Sequence, residues 1–338
     1  MSRVYTVEKP WRSSKGVPSP EAKDAKGGRP WQREERYYSF GRYLRERFPF
    51  KVHKIPIHAG FTCPNRDGHK GVGGCTYCAN ESFSPNVGDP SILSVKEQIR
   101  RGKKFLRSRY AAEKFIVYFQ AFSNTYADIL TLKSRYDEAM GEEDVIGLSI
   151  GTRPDCVSDE VLELVNSYTD VHHVWIEYGL QSIHNQTLKR INRCHTYQEF
   201  EDAVYRTKVF GGINVCVHVI LGLPGEDHSD MMATARKVSS LGIDGIKLHH
   251  LYVAKNTTLE KEYRLGKVKT MDMEEYVSIA SDFLENLSSD VTVQRLVGDT
   301  HGGSLVSPIW PAGKAEVVQA VTGELRRRNS CQGTQIAP

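Results

Sequence analysis

From about residue 53 onward, short runs rich in β-branched and aromatic residues alternate with segments of helical character. Several runs are apolar almost without interruption, which is typical of parallel strands covered by helices on both faces. A repeated strand–helix order predicts a parallel sheet with right-handed crossovers. The chain is therefore expected to adopt an α/β fold with six core strands: 53–59, 115–121, 145–151, 173–180, 214–222 and 244–251.

Helix starts fall between these runs. Ser94 with Glu97, and Thr196 with Glu199, place a hydroxyl and a carboxylate three residues apart, as in a capping box that satisfies free backbone N–H groups. Ser158 is expected to cap a helix over 159–167.

The ends of the chain differ from this core. Residues 1–36 are rich in Pro, Gly, Ser, Lys and Arg without periodicity, which predicts a basic flexible N-terminal arm. The core domain is expected over 37–290. A strand-like TVQRLV and a helix near 312–328 predict a short C-terminal extension, 291–338, packed on that core.

Charge is distributed unevenly along the chain. The net charge is +4, but the first 54 residues hold 14 Lys and Arg against 6 Asp and Glu. A basic leader suits a polyanion such as RNA, and it equally suits a solvated terminus. Aromatic residues interleaved with arginines would stack on unpaired bases, or would form a leader helix packed on the α/β core. These residues are Trp31, Tyr37, Tyr38 and Phe40, with Arg33, Arg36 and Arg42.

Compartment is indicated by what the sequence lacks. No apolar run approaches the roughly 20 residues that span a bilayer, and the first 30 residues contain no apolar signal region. Seven cysteines form no small disulfide framework, so a reducing, cytoplasmic setting with metal or thiol chemistry is expected.

The strongest local signal is the segment GFTCPNRDGHKGVGGCTYCANESF, in which Cys63, Cys75 and Cys78 follow the first predicted strand. Thiolates bind iron–sulfur clusters, and three of them leave one iron of a four-iron cluster open. The glycines at 71, 73 and 74 permit close backbone approach to a cluster. A zinc site closed by His58 or His69 remains an alternative, and a redox dithiol would leave Cys63 unexplained.

Further segments carry a family resemblance: YFQAFSNTY, GTRPDC, WIEYGLQS, INRCHTY, GLPGE and GIKLHHLYV, in this order. With the cysteine loop, they make residues 37–330 resemble the radical S-adenosylmethionine (SAM) superfamily. The resemblance is to its YhcC-like subgroup, which is related to the radical SAM domain of the elongator catalytic subunit. It implies a partial (β/α)6 TIM-like barrel, and a [4Fe–4S] cluster held by Cys63, Cys75 and Cys78. The 11-residue first gap departs from the short spacing found in many of these enzymes.

The resemblance also implies candidates for SAM contacts near the strand ends. Gln120 stands where many relatives carry a Gly-Gly-Glu turn, and Arg153 follows the third strand, where it pairs either with a ligand carboxylate or with Asp155. Glu177 and Gln181 flank the fourth strand, and an unpaired buried carboxylate is costly. Gly222 lies in GLPGE, the segment that resembles the one beside the SAM adenine. No catalytic acid or base is assigned.

By the same resemblance, the cluster donates an electron to SAM, and the 5′-deoxyadenosyl radical then abstracts a hydrogen atom from a substrate. The implied partners are tRNA, modified at a wobble uridine, and a one-electron donor such as flavodoxin or ferredoxin. Two alternatives stay open. One is a radical SAM enzyme acting on a small metabolite or a protein side chain. The other is a zinc-stabilised binding protein without catalysis.

Overall fold

A computed structural model describes residues 30–82, 84, 94–298 and 303–336. Seven parallel strands form one sheet whose spatial order follows the chain, and a two-stranded antiparallel pair, β7 and β9, lies outside it. The strands are β1 (Val52–Ile57), β2 (Lys114–Phe119), β3 (Val145–Thr152), β4 (His173–Gln181), β5 (Asn214–Leu221), β6 (Gly245–His250), β7 (Val253–Ala254), β8 (Thr292–Arg295) and β9 (Leu305–Ser307).

Helices follow most of the strands and cover the outer face of the sheet. They are α1 (Pro30–Glu34), α2 (Phe40–Arg47), α3 (Val95–Tyr110), α4 (Ile129–Met140), α5 (Asp159–Ser167), α6 (Asn185–Arg190), α7 (Tyr197–Val209), α8 (His228–Ser239), α9 (Thr258–Arg264), α10 (Met273–Glu285) and α11 (Lys314–Arg327). The predicted capping box is complete at Thr196, and Ser94 and Ser158 each accept an N3 backbone N–H. The capping box predicted at Ser94 is only half formed, because the Glu97 carboxylate binds Arg100 and Arg101 instead.

The sheet is curled into a partial barrel. Lys54 on the edge strand β1 reaches Gln294 on the opposite edge strand β8, with 2.7 Å between Nζ and Oε1. Alternate strand residues therefore face either the helices or an enclosed interior. The predicted α/β partial barrel is confirmed, with one strand more than the six expected.

The additional strand comes from the predicted C-terminal extension. TVQRLV contributes β8, which pairs in parallel with β6 and completes the sheet. The sequence does not predict that this strand joins the core sheet, because a run of only four strand residues carries little periodicity. The boundaries 37–290 and 291–338 stay predictions.

The leader packs into the amino-terminal end of the barrel. Trp31 and Tyr38 are almost fully buried, in one cluster with Leu44 of α2 and Trp175 of β4. Stacking of Trp31 and Tyr38 on RNA bases is thus excluded, and the packed-leader alternative holds for them. The predicted flexible arm covers residues 1–36. Residues 1–29 lie outside the described residues, and the remainder forms α1 and the turn that follows it. Across the described chain, no helix has the length and apolarity needed to cross a membrane.

Candidate functional site

The three cysteines of the loop after β1 line one cavity of about 130 Å³. Gln120, Arg153 and Gln181 line the same cavity, and they follow or end three successive strands, β2, β3 and β4. Because the carboxyl ends of parallel strands meet at one edge, loops from distant parts of the sequence converge there. The cavity is therefore a compact site at the carboxyl end of the barrel.

The cysteine loop is held by its own polar groups and by the segment after α6. Asn65 donates from Nδ2 to the Asn192 carbonyl at 2.5 Å, and the Gly74 N–H donates to the Asn65 carbonyl at 2.7 Å. A Cβ at Gly71 would overlap Asn65 Oδ1 and lie 3.0 Å from Cys194 Sγ. Only glycine fits at position 71 without displacing these side chains.

Cationic and amide donors surround the buried sulfur of Cys75. Arg193 Nη1 lies 3.5 Å and Asn65 Nδ2 lies 3.6 Å from Cys75 Sγ. Burial alone would raise the pKa of the Cys75 thiol, but the Arg193 charge and these hydrogen bonds hold the pKa below its usual value. At Cys78, burial followed by the Cys75 charge raises the pKa to about 11. Of these two cysteines, Cys75 is thus the one whose thiolate form the surroundings favour.

The spacing of the sulfurs argues against a single zinc ion. In the described residues, Cys63, Cys75 and Cys78 do not form a set whose sulfur atoms all lie within 4.8 Å of one another. Zinc–sulfur bonds of about 2.3 Å place tetrahedral thiolates about 4 Å apart. A four-iron cluster binds each thiolate to a different iron, so it does not require the three sulfurs to lie that close together.

Arg153 is buried beside the cysteines and is bound to Asp155. Its Nε and Nη2 lie 2.9 and 2.8 Å from the two Asp155 oxygens, and Lys70 also contacts Asp155. Burial opposes ionisation of Asp155, yet Arg153 and then Lys70 lower its pKa to about 2. Of the two partners expected for Arg153, a ligand carboxylate or Asp155, the structure therefore shows Asp155 for Nε and Nη2. Arg153 Nη1 remains buried without a hydrogen-bond partner among the described residues.

Two more features mark this edge as a ligand site. Ser123 Oγ, which lines the cavity, is buried and unpartnered within the described chain. Gln181 has a φ of 78°, a left-handed conformation that is strained for a residue with a Cβ. Orphaned polar atoms and a strained polar residue facing one cavity fit a polar ligand such as SAM.

Glu177 lies one step deeper, in a polar layer that crosses the barrel interior. Its Oε1 accepts from Lys54 Nζ and Ser149 Oγ, each at 2.6 Å. Its Oε2 accepts from Lys247 Nζ and, at 2.7 Å, from His218 Nε2. We call Lys54, Tyr118, Ser149, Glu177, His218, Lys247 and Gln294 the polar layer.

The polar layer carries unusual ionisation states. Burial would raise the pKa of Glu177, but Lys247, Lys54 and His218 hold it well below its usual value. Burial lowers the pKa of His218 to about 4 despite its bond to Glu177, and it lowers the pKa of Lys247 to about 8. At neutral pH the layer thus contains a carboxylate, two ammonium groups and a neutral imidazole.

A second, larger opening reaches the polar layer from the side. This lateral cleft, of about 1030 Å³, lies between the edge strands β1 and β8, and it shares Tyr118 and Gln120 with the cysteine cavity. One carboxylate, Glu113, lines it among the described residues. Its cationic lining residues are Arg45, Lys51, Lys54, Lys247, Arg295 and Lys314.

The structure thus brings seven of the eight candidate residues to one cavity, and Gly222 is the exception. Gly222 has a φ of 83° and packs on Met271 and Met231, so its proposed place beside the adenine stays a prediction. Sequence reasoning missed Arg193, Lys54 and Lys247. A lysine within an apolar strand, as in HKIPI and GIKLHH, was the available signal for the last two.

Comparisons with known proteins agree with this geometry. The family model described as "Radical SAM superfamily" matches residues 63–238, and the "Radical_SAM C-terminal domain" model matches 243–327. Protein YhcC of Escherichia coli is 36% identical over 272 residues, covering 80% of this chain and 86% of YhcC.

Two more distant likenesses were found. The tRNA uridine(34) acetyltransferase of Methanocaldococcus jannaschii is 25% identical over 182 residues, covering 52% of this chain and 32% of that protein. The structure of archaeal Methanocaldococcus infernus Elp3 has a TM-score of 0.62 at 17% identity, covering 84% of this chain and 64% of that one. The match of more than half the chain, beginning at Cys63, and the likeness to YhcC over 80% of this chain establish the assignment: this protein belongs to the radical SAM superfamily, as an enzyme that uses a [4Fe–4S] cluster and SAM.

Proposed function

We propose that the chain modifies tRNA, at a wobble uridine, by radical SAM chemistry in the cysteine cavity. Three thiol groups from one loop meet there with polar residues from three strand ends, and this arrangement carries the proposal. Cys63, Cys75 and Cys78 hold the cluster, with one iron open to SAM. Arg153 Nη1, Ser123, Gln120 and Gln181 contact SAM.

When bound, the cluster and SAM would supply reductive cleavage of the S–C5′ bond, with one electron from a flavodoxin or ferredoxin, and abstraction of a hydrogen atom from the substrate. The residues of this chain orient SAM and exclude water. Arg193 and Asn65 stabilise negative charge on Cys75. The leader closes the opposite end of the barrel, so reactants enter from the carboxyl edge or the lateral cleft.

The surface of α3 supports an RNA substrate. This helix carries seven Lys and Arg and one Glu, and Lys104 and Arg109 are exposed without an acidic partner among the described residues. Phe105 and Tyr110 on the same helix are 61% and 43% exposed. Cations beside exposed rings suit phosphates and unpaired bases.

This surface is continuous with the lateral cleft. Tyr110 stacks on His53, with 5.1 Å between ring centroids, and His53 lines the cleft. The tRNA uridine(34) acetyltransferase that resembles half of this chain adds support, because its name places it on a wobble uridine. An RNA lying on α3 would direct an extruded nucleotide toward the barrel interior.

The cluster assignment is tested by anaerobic reconstitution, with iron, sulfide and EPR measured with and without SAM. We expect about four irons and four sulfides per chain and a spectrum that SAM perturbs. Cys75→Ala removes a ligand and is expected to lose the cluster. Cys331→Ala, which removes a thiol that contacts Thr334 in the described part of the chain, is the matched control and should retain it. Zinc without sulfide would contradict the assignment.

The substrate is tested with tRNA from a strain that lacks the gene. Reconstituted enzyme, SAM and a reductant should change the mass of the wobble nucleoside, with 5′-deoxyadenosine formed alongside. SAM cleavage with an unchanged nucleoside profile would favour a small metabolite or a protein side chain instead. Binding to tRNA should fall steeply with salt and weaken in Lys104→Glu/Arg109→Glu. Lys261→Glu/Lys267→Glu, equally exposed on and after α9, controls for net charge.

A further inference from the structure

Among the described residues, the inner end of the lateral cleft holds more positive charge than the neighbouring carboxylates neutralise. Lys54, Lys247 and Arg295 line it, and Glu177 is the carboxylate that contacts the two lysines. Its four acceptor positions are taken by Lys54, Ser149, Lys247 and His218. The described residues around this point therefore carry a charge of about +2, since His218 is neutral at pH 7.

Arg295 accounts for the unbalanced charge most directly. It ends β8 and is partly buried, and its guanidinium makes no hydrogen bond or ion pair with any described residue. It lines the lateral cleft and also a cavity of about 120 Å³ that contains His218, His249 and Gln181. A partly buried guanidinium without a counter-ion is unfavourable, and its planar fork matches an oxyanion.

The cofactors do not supply this counter-ion. None of the three cysteines lines either of the cavities that Arg295 lines. SAM would extend from the cysteine cavity along Gln120 and Gln181, but its net charge is positive, because its sulfonium and ammonium groups outweigh its one carboxylate. Neither a cluster on the cysteines nor SAM as a whole would therefore supply the missing negative charge.

The path from solvent to Arg295 is also cationic. Arg45, Lys51 and Lys314 line the outer part of the cleft, where Glu113 uses one oxygen on the Lys51 backbone N–H at 3.0 Å. Such a lining concentrates anions and guides them inward.

From these contacts we propose that Arg295, supported by Lys247 and Lys54, binds an oxyanion of the substrate at the inner end of the lateral cleft. The proposal rests on the proposed function, because it places the reacting nucleotide between this oxyanion and the cysteine cavity. Tyr118 and Gln120 separate the two cavities and line both, so one substrate can touch each. The oxyanion is a phosphate of the nucleotide or a carboxylate on its base, and a guanidinium binds either in the same bidentate way.

The first test measures the KM for tRNA in reconstituted enzyme. Arg295→Gln should raise it by about 10- to 100-fold, as expected for loss of a charge-assisted contact. Arg295→Lys keeps the charge without the fork and should give an intermediate value. The matched control, Arg264→Gln, removes a surface guanidinium paired with Glu260 and should stay within about twofold of wild type. Iron content and circular dichroism confirm that each variant is folded. An Arg295→Gln enzyme with the KM of wild type overturns the proposal.

The second test does not depend on RNA, so it separates this proposal from the proposed function. Thermal melting of the reconstituted protein is followed while inorganic phosphate or acetate is added at constant ionic strength. Stabilisation of wild type but not of Arg295→Gln supports the oxyanion site. Stabilisation by phosphate indicates that the natural ligand is a phosphate, and stabilisation by acetate indicates a carboxylate. Equal responses of both proteins to both anions overturn it. If wild type shows the anion effect but leaves tRNA unchanged, the tRNA proposal fails alone.

Discussion

Glu177→Gln is the substitution that probes the interior of the barrel most sharply. The side chain is fully buried and accepts from four donors, two of which are ammonium groups. Glutamine has the same shape, but it has one acceptor oxygen and two N–H donors. If its oxygen keeps Lys54 and Ser149, its NH₂ group faces Lys247 and His218, which then have no acceptor.

The expected cost follows from that geometry. The Lys247 side chain is 5% exposed, and Glu177 is its ion-pair partner in the described structure. Removing one partner from a buried ion pair typically costs about 3–5 kcal/mol, since the remaining charge is neither paired nor solvated. The exposed pair of Arg190 with Glu262 is worth only about 0–1 kcal/mol. Glu262→Gln is therefore the matched control.

The assay is urea unfolding of metal-free protein under reducing conditions, followed by circular dichroism. Glu177→Gln should lower the free energy of unfolding by about 3–5 kcal/mol and Glu262→Gln by less than about 1 kcal/mol. Adding Lys247→Met should recover part of the loss, with a coupling on the order of 1–3 kcal/mol. A cost below 1 kcal/mol for Glu177→Gln, or strict additivity with Lys247→Met, would refute the view that the polar layer is one electrostatic unit.

Three further outcomes follow from the same contacts. Because the pKa of Glu177 is held well below the usual value of 4.5 for a glutamate, its stabilising contribution is complete above pH 4.5 and is lost as the pH falls through the folded pKa. On acidification, wild type should thus lose more free energy of unfolding than Glu177→Gln. Equal losses in the two proteins between pH 6 and pH 3.5, measured by urea unfolding, would contradict this. Arg193→Met removes the cation beside Cys75, so it should lower the cluster's reduction potential, measured by EPR-monitored titration, and an unchanged potential would exclude that role. Gly71→Ala places a Cβ against Asn65 and should reduce iron loading, whereas Gly323→Ala in α11 meets no atom within 4 Å and should load normally.

The sequence predicts the sheet well because parallel strands covered on both faces must be apolar. All six expected runs are strands, and the caps at Thr196 and Ser158 lie where hydroxyl spacing places them. β8 was harder to place in the core, since four residues at the edge of a sheet leave little periodicity. Its assignment to an extension also hid Arg295.

The site was predictable to a different degree. A cysteine loop after a strand predicts a metal or cluster site from spacing alone, and Glu177 is conspicuous as the one acid in its strand. Its partners Lys54 and Lys247 are likewise charged residues within apolar strands. Their contact with Glu177 could not be predicted, because it depends on the curl of the sheet, which brings β1, β4 and β6 together in the barrel interior. For the leader, the sequence pattern leaves the role of the aromatic residues undetermined. Aromatic residues spaced among arginines do not reveal whether Trp31 stacks on bases or fills a barrel.

The barrel interior is organised in three levels, and their order bears on function. Apolar leader residues such as Trp31 and Leu44 fill the amino-terminal end, the polar layer around Glu177 lies above them, and the cysteine cavity lies at the carboxyl edge. A buried ionic layer contributes little net stability compared with apolar packing, because desolvation offsets most of its attraction. Its retention at the floor of an active site instead supplies fixed charges that need no reorganisation when an anionic substrate arrives. The excess positive charge at Arg295 therefore serves binding rather than folding.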